Sequence, residues 1–179
     1  VYDDCRKIMS CVKEREFIIN SAINYLKIKN IDNEIIAGGE TAGIPYAAYI
    51  SEKLKKPMVY IRKKPKGFGI NKQIEGNFHK NQSALLVEDL ATDGGSKITF
   101  INAMREAELE VKDIFVIFYY DIFDFKKSDL FKLNVKIHSL CTWKNIIEYI
   151  EKNNLYTEKE ILDLKIFLSN PNKWRENNG

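Results

Sequence analysis

The stretch that most constrains this chain is residues 84–96, A-L-L-V-E-D-L-A-T-D-G-G-S. Ala84, Leu85, Leu86 and Val87 form a short apolar run, the pattern of a strand covered on both faces. Glu88 and Asp89 follow at once, then Leu90, Ala91, Thr92, Asp93, Gly94, Gly95 and Ser96. Beyond them Ile98, Ile101 and Met104 recur at helical spacing. A buried strand that passes through a small, polar, glycine-containing turn into a helix offers free backbone N–H groups and a positive helix end to an anion. The two acids stand at the strand's carboxyl end, where open α/β sheets bind their ligands. The stretch fits a phosphate-holding loop with acids placed for hydroxyls or a metal-bound phosphate. The plainer alternative is a βα turn with solvated acids; the adjacent acids followed by T-D-G-G-S favour the former.

The rest of the chain repeats this alternation. Residues 14–29 carry Phe17, Ile18, Ala22, Tyr25 and Leu26 as a helical stripe. Residues 34–37 read as a short strand stopped by Gly38 and Gly39, with Glu40, Thr41, Ala42 and Gly43 as a second small turn. Pro45 suits the start of the following helix, and residues 57–61 give the next strand. Residues 62–76, R-K-K-P-K-G-F-G-I-N-K-Q-I-E-G, differ: positions 62–72 hold five basic side chains and no acid. This segment reads as a mobile loop, with residues 77–82 leading back into the sheet. Residues 113–120 form a continuously apolar strand, residues 124–133 a short helix, and residues 135–140 a last strand. Helices follow at 142–152 and 157–168, the second opened by a capping box of Thr157 and Glu160. Residues 170–179 read as a frayed tail. The whole of 1–179 is expected to be a single α/β domain, a doubly wound, mostly parallel five-stranded sheet flanked by helices. Both glycine turns and the basic segment then share the sheet's carboxyl edge.

Composition narrows the function. With 28 basic and 25 acidic residues the net charge is +3, too balanced to argue for a nucleic-acid partner on charge alone. Cys5, Cys11 and Cys141 have no metal-type or redox-type spacing and read as reduced cysteines of a cytoplasmic protein. His79 and His138 are the only histidines, which argues against a histidine-built metal site. No apolar run approaches membrane-spanning length.

V-E-D-L-A-T-D-G-G-S resembles the phosphoribosyl-diphosphate (PRPP) binding motif of type I phosphoribosyltransferases. R-K-K-P-K-G-F-G resembles the basic loop of orotate phosphoribosyltransferases, G-G-E-T-A-G-I-P their pyrophosphate loop, V-Y-D-D-C-R the segment after their N-terminal S-G-x-K-S-P stretch, and I-H-S-L-C-T-W their last strand. The resemblance runs in order along nearly the whole chain. It implies transfer of the phosphoribosyl group of PRPP to orotate, giving orotidine 5′-phosphate and pyrophosphate on the route to UMP, in a cytoplasmic homodimer that binds neither nucleic acid nor membrane.

The same resemblance assigns roles. Glu88 and Asp89 would take the ribose hydroxyls of PRPP, and the segment through Leu90, Ala91, Thr92, Asp93, Gly94, Gly95 and Ser96 would hold its 5-phosphate. Thr92 would also lie near orotate. Arg62, Lys63 and Lys66 would contact the pyrophosphate, partly across the dimer interface, with Lys66, Glu88 and Asp89 nearest the chemistry. Glu40 and Thr41 would present backbone to the pyrophosphate and its Mg²⁺, an ion carried mainly by PRPP.

Several positions depart from the family pattern. Phe68 replaces the loop histidine, Thr41-Ala42 stands where many relatives have Tyr-Lys, and an apolar residue near Ile122 stands where many have an orotate-binding arginine. The chain starts at Val1, after the S-G-x-K-S-P segment, so the hood over the base is expected to be incomplete. Transfer to another base, or a non-catalytic PRPP-binding regulator, are the competing functions.

Overall fold

The computed structural model describes residues 4–65, 73–92, 95–122 and 124–169. Lys66, Phe68, Asp93, Gly94, Phe123 and the 170–179 tail lie outside the described residues. In chain order, helix α1 (Val12–Ile28) precedes strand β1 (Ile35–Gly39), helix α2 (Gly43–Leu54), β2 (Met58–Ile61) and β3 (Ile74–Glu75). Then come β4 (Ser83–Ala91), α3 (Gly95–Glu106), β5 (Glu110–Tyr119), α4 (Asp129–Lys132), β6 (Lys136–Thr142), α5 (Trp143–Lys152) and α6 (Glu158–Ser169).

The strands form one sheet in the order β3-β2-β1-β4-β5-β6. All neighbours are parallel except β2 and β3. The sheet therefore has six strands, not five. The additional one lies within 62–76: Ile74 is buried opposite Ile61, and Glu75 opposite Tyr60, so the chain returns to the sheet as a two-residue antiparallel edge. Residues 77–82 carry no strand. β4 is also longer than the apolar run that announces it. It continues through Leu90 and Ala91 because β5 supplies partners to the end, at Phe118 and Tyr119.

Two apolar layers sandwich the sheet, as expected for a doubly wound fold. On one face Ile19, Ala22 and Leu26 of α1 and Tyr46, Ala47 and Ile50 of α2 pack on Ile36, Leu85, Val87 and Phe115. On the other, Phe100, Ile101 and Met104 of α3 pack on Ala37, Ile61, Leu86, Ile114 and Val116. A smaller cluster at the carboxyl end joins Cys5, Phe118, Tyr120 and Trp143. The capping box of Thr157 and Glu160 is present: Thr157 N donates to Glu160 Oε2 at 2.9 Å, and Glu160 N to Thr157 Oγ1 at 3.3 Å. Among the described residues no helix is long and apolar enough to cross a membrane.

Strand order reverses between β1 and β4, which lie side by side although β2 and β3 separate them in sequence. At such a switch point the connections leave on opposite faces and open a crevice at the strands' carboxyl ends.

Candidate active site

The crevice is occupied by the two turns that the sequence places on that edge. A cleft of about 330 Å³ is lined by Glu40, Thr41 and Ala42 after β1, Lys63 after β2, Glu88, Asp89 and Leu90 on β4, and Thr92, Ser96 and Lys97 at the start of α3. Arg6 completes the lining from the N-terminal turn. The Glu40–Thr41 peptide bond is cis. Glu40 ties the two loops together, because its Oε2 accepts a 2.7 Å hydrogen bond from Lys63 N.

Successive strand residues point to opposite faces, so Glu88 and Asp89 have different surroundings. Glu88 faces the α3 layer and is 5% exposed. Glycine makes room for it: a Cβ at Gly39 would stand 1.7 Å from Glu88 Oε1, and one at Gly43 2.9 Å. Its Oε2 lies 3.3 Å from Lys97 Nζ. Burial pushes the Glu88 carboxyl up to about 7, against the lowering pull of Lys97. Asp89 is less enclosed; burial raises its carboxyl, and Lys97, its backbone contacts and Arg6 oppose the rise.

Thr92 and Ser96 line the cleft, whereas Ala91 is a buried strand residue whose carbonyl accepts from Tyr120 N at 2.9 Å. The turn thus begins at Thr92. Gly95 opens α3. Arg62 is not among the described residues lining the cleft. Its guanidinium lies 3.7 Å from Glu75, Gln73 bonds to its backbone on both sides, and the side chain braces the β2–β3 edge. Ile122 packs beside Phe118, Tyr120 and Trp143 and supplies no polar group to the cleft. His138 bonds Asp113 at 2.7 Å between β6 and β5, away from the cleft. The described residues gather no cluster of three or more His, Cys, Asp or Glu side chains that could hold a metal.

Two cleft residues, Arg6 and Lys97, carry no site expectation in the sequence. Arg6 is placed by its neighbours: Cys5 is buried and its carbonyl accepts a 2.6 Å bond from the buried Tyr46 hydroxyl, while Asp4 Oδ1 accepts from Arg6 Nε at 2.7 Å. No local signal marks that contact, which spans 41 positions. Lys97 did leave a signal. It stands three, four and seven residues before Phe100, Ile101 and Met104, on the inward stripe of α3.

No family model matches the chain. An orotate phosphoribosyltransferase of Roseobacter denitrificans is 43% identical over 181 residues, covering 99% of this chain and 80% of its own length. Among solved structures, the UMP synthase of Leishmania donovani superposes with a TM-score of 0.77 at 26% identity, covering 93% of this chain and 35% of that one. The orotate phosphoribosyltransferase of Aeropyrum pernix superposes at 0.73 with 25% identity, covering 87% of this chain and 85% of that one. Likeness over almost the full chain at this identity, together with a cleft at the switch point of the same fold, places the chain in the orotate phosphoribosyltransferase family.

Proposed function

We propose that this protein transfers the phosphoribosyl group of PRPP to orotate, forming orotidine 5′-phosphate and pyrophosphate on the route to UMP. The observation that carries the reading is convergence: two adjacent acids, a phosphate turn, the Glu40–Thr41 turn and Lys63 meet in one cleft. Asp89, the more open acid, accepts the ribose hydroxyls, and Glu88 supports them from the cleft floor. Backbone N–H groups of the turn from Thr92 through Asp93 and Gly94 to Gly95 and Ser96 hold the 5-phosphate at the N-terminus of α3. Leu90 borders this half of the cleft.

Displacement of pyrophosphate leaves positive character at the anomeric carbon while negative charge grows on the leaving group. Lys63 is placed to meet that charge, with Lys66 as a second cation and the Glu40–Thr41 backbone alongside. A fixed contact of this kind lowers such a barrier by about 3–4 kcal/mol. Mg²⁺ enters as part of the substrate, held mainly by the oxygens of PRPP. When bound, that hard ion would supply charge neutralisation to the diphosphate, with the Glu40–Thr41 backbone beside it. Arg6 lines the same cleft and is the cation we assign to the carboxylate of orotate, since Ile122 packs among apolar side chains and supplies none. The enzyme works in the cytoplasm as a homodimer, its basic segment shared between subunits.

The test is an orotate-absorbance assay with PRPP and Mg²⁺, run beside uracil, adenine and hypoxanthine. PRPP-dependent loss of orotate absorbance is expected, with no product from the other bases. Binding of PRPP without consumption of any base would overturn the catalytic reading.

A further inference from the structure

The inward stripe of α3 consists of Phe100, Ile101 and Met104, all buried, with Lys97 as its first member. A lysine there is costly unless it is paired. Its side chain is 9% exposed and meets that of Glu88, 7% exposed, at 3.3 Å, and its Nζ also lies 3.3 Å from Ser96 Oγ in the phosphate turn. The second Glu88 oxygen, Oε1, is buried against Gly39 and Gly43 and has no hydrogen-bond partner among the described residues. The backbone of β1 and α2 is thus cut back to admit a carboxylate, and one ammonium holds it.

We infer that Lys97 is a positioning residue for the transfer reaction: it fixes the Glu88 carboxylate in the cleft floor and keeps it an acceptor, so that arriving ribose hydroxyls find a charged oxygen and not a carboxylic acid. The inference rests on the PRPP reading of the cleft. The charged groups facing Glu88 are Lys97 from α3, Asp89 on its own strand and Lys63 after β2. Burial raises the carboxyl, Asp89 adds to the rise, and Lys97 is the largest influence opposing it. Without that ammonium the carboxyl keeps its proton through the neutral range. One of the two acids proposed to meet the ribose hydroxyls is then lost as a charged acceptor although every residue that touches substrate is intact.

The decisive measurement is the titration of the Glu88 carboxyl in the ligand-free full chain, followed by carbon-13 NMR and assigned with E88Q. In K97M or the near-isosteric K97Q the midpoint should rise by roughly 1–3 pH units, the size of an opposite charge at this distance, while K97R should stay near wild type. PRPP binding by calorimetry in Mg²⁺ should weaken by roughly tenfold or more near pH 7 in K97M and recover in part at alkaline pH, and K97M/E88Q should bind no worse than E88Q. An unmoved midpoint, or a loss of PRPP affinity that is the same at every pH, would make Lys97 a packing residue and overturn the inference. A wild-type protein that binds PRPP but leaves orotate untouched would strike the reaction proposed above while the carboxyl titration still decides the role of Lys97.

Discussion

At the scale of single residues, the two neighbouring acids divide a task that the sequence writes as a pair. Asp89 is the more open of the two and the proposed acceptor of the ribose hydroxyls, so Asp89→Asn should lower kcat/KM by two orders of magnitude or more, about 3 kcal/mol of transition-state binding, in the orotate assay. Near-wild-type turnover would remove it from the site. Glu88 is linked to stability as well. Its folded carboxyl lies at about 7 against an ordinary 4.5, so between those values the folded protein holds a proton that the unfolded chain has released. Its contribution is therefore complete below pH 4.5 and is lost as pH rises through about 7. The loss is on the order of 3 kcal/mol. Urea unfolding at pH 5 and pH 8 should show wild type losing stability relative to E88Q by that amount; parallel behaviour of the two proteins would contradict it. Gly39 belongs to the same unit. Gly39→Ala would drive a methyl to 1.7 Å from Glu88 Oε1 and 2.6 Å from Phe100. Overpacking of this kind should cost about 1–3 kcal/mol in thermal or urea unfolding and displace the carboxylate, lowering PRPP affinity in parallel.

At the scale of elements, local pattern and tertiary contact divide what a reader of the sequence can see. The β4–turn–α3 unit is legible because each part has its own code: an apolar run, a small polar turn and a helical stripe. The adjacent acids and glycines, and with them the half of the cleft proposed to hold ribose phosphate, are legible for the same reason. The β3 edge is not legible, since two residues of strand have no periodicity to detect and exist only because Tyr60 and Ile61 offer a partner. The extra length of β4 likewise depends on Phe118 and Tyr119 of β5. Arg6 is the clearest case. The turn that carries it is held by the hydroxyl of Tyr46 on α2, bonded to the Cys5 carbonyl inside the core. Tyr46→Phe removes one buried bond and should cost about 1–2 kcal/mol. If Arg6 meets the base as proposed, the KM for orotate should rise while PRPP affinity changes little. An equal rise in both would show that Tyr46 supports the fold and not the turn.

At the scale of the whole molecule, the fold brings the sequence-distant cleft segments together by topology: β1 and β4 become neighbours at the switch point, and every turn that follows a parallel strand opens on one edge. β2 and β3 form the outer edge of that sheet, so Ile61 and Ile74, which bound the basic segment, stand at that edge. Lys63 lines the cleft of its own chain, whereas Arg62 turns back to Glu75. In the proposed homodimer, a basic segment that starts at this edge could serve the partner's cleft through Lys66 while Lys63 serves the cleft of its own chain. The two arrangements separate cleanly in a mixing experiment. Asp89→Asn and Lys66→Ala each remove one component of the proposed site, and each variant alone should be nearly inactive. If Lys66 acts across the interface, a mixed dimer has one site with both defects and one site with neither. Equal mixing with free exchange makes half of all dimers mixed, so activity should return to about a quarter of wild type. If Lys66 acts within its own subunit, every site in a mixed dimer retains one defect and mixing restores nothing. Sedimentation of the same samples confirms that mixed dimers form, and so separates a lysine acting in its own subunit from a protein that does not dimerise.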